Sequence, residues 1–162
     1  MVARVWKFGD AISTDLLSPG AFALDSLEVR MRHVLESVNP RFATDVRRGD
    51  VVVAGHNFGC GSSRETAAEN LQALGVACVA AESMSRLFLR NAVAVGLPVL
   101  ICRGIHDSFA DGTGIEIDLA AGTATNPDRG ITCRGEPLPA EMRRILAAGG
   151  ILAVLRRSGD AT

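Results

Sequence analysis

The sequence predicts an α/β fold, a parallel β-α-β-α-β core with an added C-terminal β-hairpin and helix. Two observations predict it. Three short, continuous apolar runs, at 51–54, 76–81 and 97–101, are separated by two helix-length stretches that each close on a glycine, Gly75 and Gly96. Continuous apolar runs mark strands covered on both faces, and strands alternating with helices require parallel pairing through right-handed crossovers. Further on, the pattern changes to alternation, Ile115-Glu116-Ile117-Asp118-Leu119, which marks a half-exposed strand.

Each element follows from its own stretch of sequence. Residues 2–8 alternate around Val5 and Trp6 and form a first strand, closed by the Gly9-Asp10 turn. Residues 11–24 mix Ser, Thr, Asp, Pro and Gly with scattered apolar residues. So long an irregular stretch in a compact domain points to a functional loop. Leu24, Leu27, Met31, Val34 and Leu35 fall at helical spacing over 24–36, and Asn39-Pro40 ends that helix. The strand at 51–54 runs into a Gly-rich segment and then a helix over 63–74, with Gly75 as C-cap. The strand at 76–81 leads to a helix over 83–95, and the strand at 97–101 follows. The stretch from 122 to 130 is turn-rich, so 131–134 is expected to return against 115–119 as a hairpin. A helix over 139–148 ends at Gly149-Gly150, and 151–155 is a last apolar segment. No internal repeat or low-complexity linker appears, and the chain reads as one domain over 1–162.

Composition excludes several classes. The 162 residues, 48% hydrophobic and 22% charged, are those of an ordinary globular domain, not of a disordered tail or a coiled coil. A formal net charge of -1 gives no electrostatic capture of nucleic acid. With one Trp, six Phe and no Tyr, a base-stacking surface is not expected either. No apolar leader core opens the chain and no run is long enough for a membrane span, so no membrane partner is expected. Cys60, Cys78, Cys102 and Cys133 lie 18 or more residues apart, without zinc spacing, and read as reduced thiols in a cytoplasm.

The sharpest feature is Gly55-His56-Asn57-Phe58-Gly59-Cys60-Gly61-Ser62-Ser63-Arg64-Glu65, between a buried strand and a helix. Crevices beyond the carboxyl ends of parallel strands bind ligands, and a helix N-terminus suits a carboxylate or phosphate. Gly59 and Gly61 allow close backbone approach. Arg64 offers a planar fork matched to a carboxylate. No Lys follows the glycines, so this is not a P-loop. Ser62 is not in a nucleophile elbow, and the dinucleotide spacing breaks at Arg64. Two readings of the segment stand. Ser62-x-x-Glu65 is a capping box. Alternatively Ser62 is chemical, and Ser63 takes the capping role.

The stretch from Asn57 to Glu65 resembles the signature of the 3-isopropylmalate dehydratase small-subunit family, in the aconitase superfamily. Gly9-Asp10-Ala11-Ile12-Ser13-Thr14-Asp15 with Pro19 is similar to that family's N-terminal loop. Ala81-Glu82-Ser83-Met84-Ser85-Arg86-Leu87-Phe88-Leu89-Arg90-Asn91-Ala92, followed by Gly96-Leu97-Pro98, is similar to its second helix. Leu146-Ala147-Ala148-Gly149-Gly150 is similar to its C-terminal end. The similarity runs in order along almost the whole chain.

The resemblance implies the swivelling β/β/α domain of that superfamily. It implies a hydro-lyase subunit that interconverts 2- and 3-isopropylmalate in leucine biosynthesis. It also implies a large subunit as partner, which holds a [4Fe-4S] cluster that this chain does not bind, and a malate-type dicarboxylate as substrate. By the same resemblance Ser62 is the base that removes a carbon-bound proton. Ser63 and Arg64 bind a substrate carboxylate, and Asp15 with Thr14 belongs to the site. Ala21 and Phe22, in the stretch 19–24, face the variable group of the substrate. That stretch, Pro19-Gly20-Ala21-Phe22-Ala23-Leu24, carries no cation. An alkyl group is therefore favoured over a further carboxylate, which would be desolvated without a partner. Related dehydratases of the 2,3-dimethylmalate, methylmalate/citraconate or homoaconitate type, or a non-catalytic dicarboxylate-binding module, are the alternatives. His33 is expected to be solvated, and Arg86 either to assist anions or to pair with acids.

Overall fold

The computed structural model describes residues 1–160, so the last two residues of the expected domain lie outside the described residues. In chain order the elements are β1 (Ala3–Lys7), α1 (Thr14–Leu17), a 3-10 turn (Gly20–Phe22), α2 (Leu27–Arg32), α3 (Phe42–Asp45) and β2 (Val51–Ala54). There follow α4 (Glu65–Ala73), β3 (Cys78–Ala81), α5 (Arg86–Val95), β4 (Val99–Ile101) and α6 (Ile105–Ser108). The chain continues through β5 (Gly114–Asp118), β6 (Thr123–Asn126), β7 (Ile131–Arg134), α7 (Ala140–Ala148) and α8 (Ile151–Gly159).

The strands form one sheet in the order β4-β3-β2-β1-β5-β6-β7. β1 to β4 are parallel, with Val5 opposite Val51 and Val51 opposite Cys78. β5, β6 and β7 form an antiparallel meander joined to β1 through Ala3 and Ile115. The parallel α/β core is therefore as the sequence predicts, extended by β1 at its inner edge. The expected hairpin is corrected. β7 pairs with β6, which the sequence does not announce, and not with β5. The single C-terminal helix becomes two, because the apolar run from 151 onward is helical. The expected helix over 24–36 is regular only over Leu27–Arg32.

Alternation along the buried strands divides the core between the two faces of the sheet. Trp6, Val52, Ala54, Val79, Ala81 and Val99 face Ala67, Ala68 and Leu71 of α4 and Phe88 and Ala92 of α5. Val5, Val51, Val53, Cys78, Ala80 and Leu100 face Ile105, Phe109, Ala124 and Cys133. The antiparallel end thus curls back over the second face. Burying a Leu or Phe side chain of this kind contributes about 1.5–3 kcal/mol.

The carboxyl edge of the parallel strands positions the site. The chain pairs there beyond the regular strands: Ser13 bridges to Cys60, and Phe58 to Met84, both in parallel sense. Three consecutive β-to-α connections are thereby laid side by side.

Candidate functional site

Gly59 holds the turn after β2 in place from below. Its φ is +74°, and a Cβ there would collide with the ring of Phe88. Its N–H donates to the Ile12 carbonyl at 2.7 Å, and its carbonyl accepts from the Ser85 hydroxyl at 2.8 Å. Ser85 also caps α5 by accepting from the Phe88 N–H at 3.1 Å. Asn57 sits in the left-handed region at φ 62°, and its N–H donates to Ser83 Oγ at 2.8 Å. These bonds satisfy the backbone where the regular strands end and fix where the next residues start.

Those next residues, Gly61, Ser62 and Ser63, are exposed. Thr14 ties them to α1. Its N–H donates to the Cys60 carbonyl at 2.8 Å, and its hydroxyl to the Ser62 carbonyl at 2.9 Å. Thr14 is buried, so it shapes the serine turn rather than presenting its own hydroxyl outward. The expected capping box is not formed. α4 begins at Glu65, its N-cap is Arg64, and no side chain caps it. Ser62 and Ser63 lie before the cap, because their backbone is drawn toward Thr14. Neither hydroxyl has a hydrogen-bond partner among the described residues. The Glu65 and Thr66 N–H groups of α4 therefore remain open a few residues from two free hydroxyls, while the Ala67 N–H donates to the Arg64 carbonyl.

Arg64 lies across the same lip. Its Nη1 donates to Asp15 Oδ1 at 2.8 Å and to the Ser18 carbonyl at 2.7 Å. Both Nη1 hydrogens are thereby used, which leaves the Nε–Nη2 edge of the fork for an outside carboxylate. The Arg64 guanidinium, with the Gly20 N–H, holds the Asp15 carboxyl below the usual carboxylate range. Asp15 therefore links two structures, the arginine and the 3-10 turn that begins at Gly20. Ala21 and Phe22 lie on that turn, with Ala21 exposed and Phe22 half-buried.

The structure thus brings Ser62, Ser63, Arg64, Asp15 and Thr14 to one edge and ties Ala21 and Phe22 to them. Ser18 is a member that the sequence did not single out. Its carbonyl holds Arg64 and its hydroxyl bonds Thr66 Oγ1 at 2.7 Å, contacts over some 46 residues that no local pattern encodes. His33 is not solvated as expected. Its ring stacks on Phe22 and its Nδ1 bonds Glu36. Arg86 and Arg90 are exposed and make no ion pair among the described residues.

The residues of this chain do not fit an iron–sulfur cluster. No group of three His, Cys, Asp or Glu gathers among the described residues. Cys60 is half-buried, and the other three thiols are buried elsewhere. Burial pushes the Cys78 thiol up to about 12 and the Cys102 thiol up to about 11. No helix among the described residues is long and apolar enough to cross a membrane.

Comparison with known proteins shows the family. The model of the aconitase C-terminal domain family matches residues 28–103. A Methanopyrus kandleri protein named 3-isopropylmalate dehydratase small subunit 1 is 48% identical over 157 residues, covering 96% of this chain and 92% of its own. A Methanocaldococcus jannaschii protein named isopropylmalate/citramalate isomerase small subunit is 41% identical over 155 residues, 95% of this chain and 92% of its own. A crystal structure titled 3-isopropylmalate dehydratase, from the same organism, superposes with a TM-score of 0.90 at 36% identity, covering 98% of this chain and 96% of that one.

Proposed function

This chain belongs to the aconitase C-terminal domain family, among the dehydratase small subunits, and from that premise we propose that it is the small subunit of a 3-isopropylmalate dehydratase. It is one swivel domain over 1–162, acts in the cytoplasm with a large subunit, and interconverts 2- and 3-isopropylmalate by loss and return of water in leucine biosynthesis. The observation that carries the reading is the exposed pair Ser62 and Ser63, unbonded and immediately before Arg64 at the open start of α4. We assign the [4Fe-4S] cluster to the large subunit, since this chain gathers no ligand set for one.

In this reading Arg64 grips a substrate carboxylate with its free edge, and Ser63 adds a hydrogen bond to it. Ser62, as an alkoxide, takes the proton from the carbon beside that carboxylate. The carbon's electron pair forms the alkene as hydroxide departs from the neighbouring carbon. Serine is a weak acid, so its anion needs aimed donors. The first N–H groups of α4 and the Arg64 cation supply them. Return of water at the other carbon reverses these steps. Asp15 keeps Arg64 oriented.

Substrate choice falls to the 3-10 turn and its neighbours. Ala21, Phe22, Ala23 and Leu24 offer no cation to a further carboxylate, which disfavours a homoaconitate-type substrate. A methyl-substituted malate is a second reading, favoured by the citramalate activity in the name of the Methanocaldococcus relative. Mixing this chain with its large partner and following alkene formation from 3-isopropylmalate and from citramalate tests both. Activity on neither, with the partner active beside its own small chain, contradicts the proposal.

A further inference from the structure

The substrate-facing turn is braced from beneath by a residue with no assigned role. The imidazole of His33 lies face to face with the ring of Phe22, with centroids 3.5 Å apart and planes within 3°. Two benzene rings disfavour that sandwich, because their negative faces meet. The stack here is instead imposed by the contacts that hold the imidazole in place. His33 Nδ1 lies 2.8 Å from Glu36 Oε2. The carboxylate can only accept, so Nδ1 carries the hydrogen.

The platform under the stack is itself fixed. Between His33 and Glu36 the chain passes through Leu35, a bulky residue at φ 58° that is fully buried. A left-handed leucine is strained and persists only where its surroundings overdetermine it. Here its N–H donates to the Leu16 carbonyl at 2.9 Å. Leu16 follows Asp15 on α1. The turn is thus held at both ends from one short helix. Asp15 takes the Gly20 N–H at the start, and the Leu16–Leu35 contact carries the imidazole under Phe22 at the end. Leu24, just past the stack, is fully exposed.

The geometry points to His33 as the positioning residue that fixes the Phe22 ring, and thereby the size of alkyl group the site accepts. This rests on the dehydratase reading above. Removing the imidazole lets the phenyl ring swing and blurs the wall, without touching Ser62 or Arg64.

The test uses the assembled two-chain enzyme with 3-isopropylmalate and citramalate. In His33→Ala the ratio of kcat/KM between the preferred and the other substrate falls about tenfold, mostly through KM of the preferred one. His33→Phe, whose phenyl ring disfavours a face-to-face stack on Phe22, leaves the ratio at least about threefold below wild type. A proton spectrum of the chain supplies a readout independent of activity. The His33 ring signals are shifted upfield by Phe22, and the shift disappears in Phe22→Leu. An unchanged ratio in His33→Ala, or no such shift in wild type, overturns the role of His33 while leaving the reaction standing. Wild-type inactivity on both substrates, with the shift present, instead overturns the dehydratase reading and the specificity role with it.

Discussion

The connections that follow β1 and β2 lie side by side on the same edge of the sheet, yet they are held differently. The turn from Gly55 to Arg64 is fastened along its backbone. Gly59, Cys60 and Ser62 each give a carbonyl or N–H to a fixed partner, and Phe88 closes off the space beneath Gly59. The stretch from Pro19 to Leu24 is fastened at its ends, through Asp15 and through the His33 stack, and its outer residues are exposed. On the proposed function, the difference would serve two demands. Proton removal needs a hydroxyl whose position does not drift, since a small misplacement is costly. Selection among alkyl groups needs a wall that can change without disturbing that hydroxyl.

The largest effect expected from breaking the fastened turn is chemical. Ser62→Ala should lower kcat by about 10²–10⁴-fold in the assembled enzyme. It should leave thermal stability unchanged, because the hydroxyl holds nothing in the fold. Next is Arg64→Ala, which removes charge-assisted bonds worth about 1.5–3 kcal/mol. It should raise KM by roughly 10- to 100-fold, while a kcat loss with unchanged KM would show that Arg64 does not bind the ground-state carboxylate.

Gly59→Ala tests the support beneath the turn. Its Cβ meets Phe88 at a backbone angle that alanine resists, so unfolding should cost on the order of 2–4 kcal/mol less than in wild type. A denaturant midpoint equal to wild type would show the turn to be loose. The smallest effect is expected at the joint between the two stretches. Asp15→Asn should raise KM only a few-fold, because Arg64 keeps its bond to Ser18. The Asp15 carboxyl is held low by Arg64, so the pair is intact above the usual carboxylate range and is lost only as pH falls through the lowered value. KM should therefore be flat from about pH 5 to 8 as far as Asp15 is concerned.

Much of this edge is legible in the sequence, and its failures have physical causes. The buried strands declare themselves because Val51-Val52-Val53-Ala54 is apolar on both faces. The residues of the serine turn are also identifiable, but their local role is not. Ser62-x-x-Glu65 is a sound capping box, and the bonds from Thr14, nearly 50 residues away, accompany the displacement of Ser62 from it. β6 is hidden because Thr123-Ala124-Thr125-Asn126 is short, small and polar. Its place is secured by Asn126, whose amide donates to the Ser108 carbonyl. α6 is equally hidden. The carboxylate that receives its first N–H groups comes from Glu82, on another connection. His33 reads as a solvated residue among arginines because its partner ring lies in a different element.

The central claim is that Ser62, and not Ser63, removes the carbon-bound proton. Single-turnover alkene formation from saturating 3-isopropylmalate, compared between Ser62→Ala and Ser63→Ala in the two-chain enzyme, tests it most directly. The account predicts that Ser62→Ala retains bound substrate but yields no alkene over the time wild type completes its turnover, whereas Ser63→Ala binds more weakly and still forms it. Alkene appearing at a near-normal rate in Ser62→Ala, or vanishing only in Ser63→Ala, would contradict it.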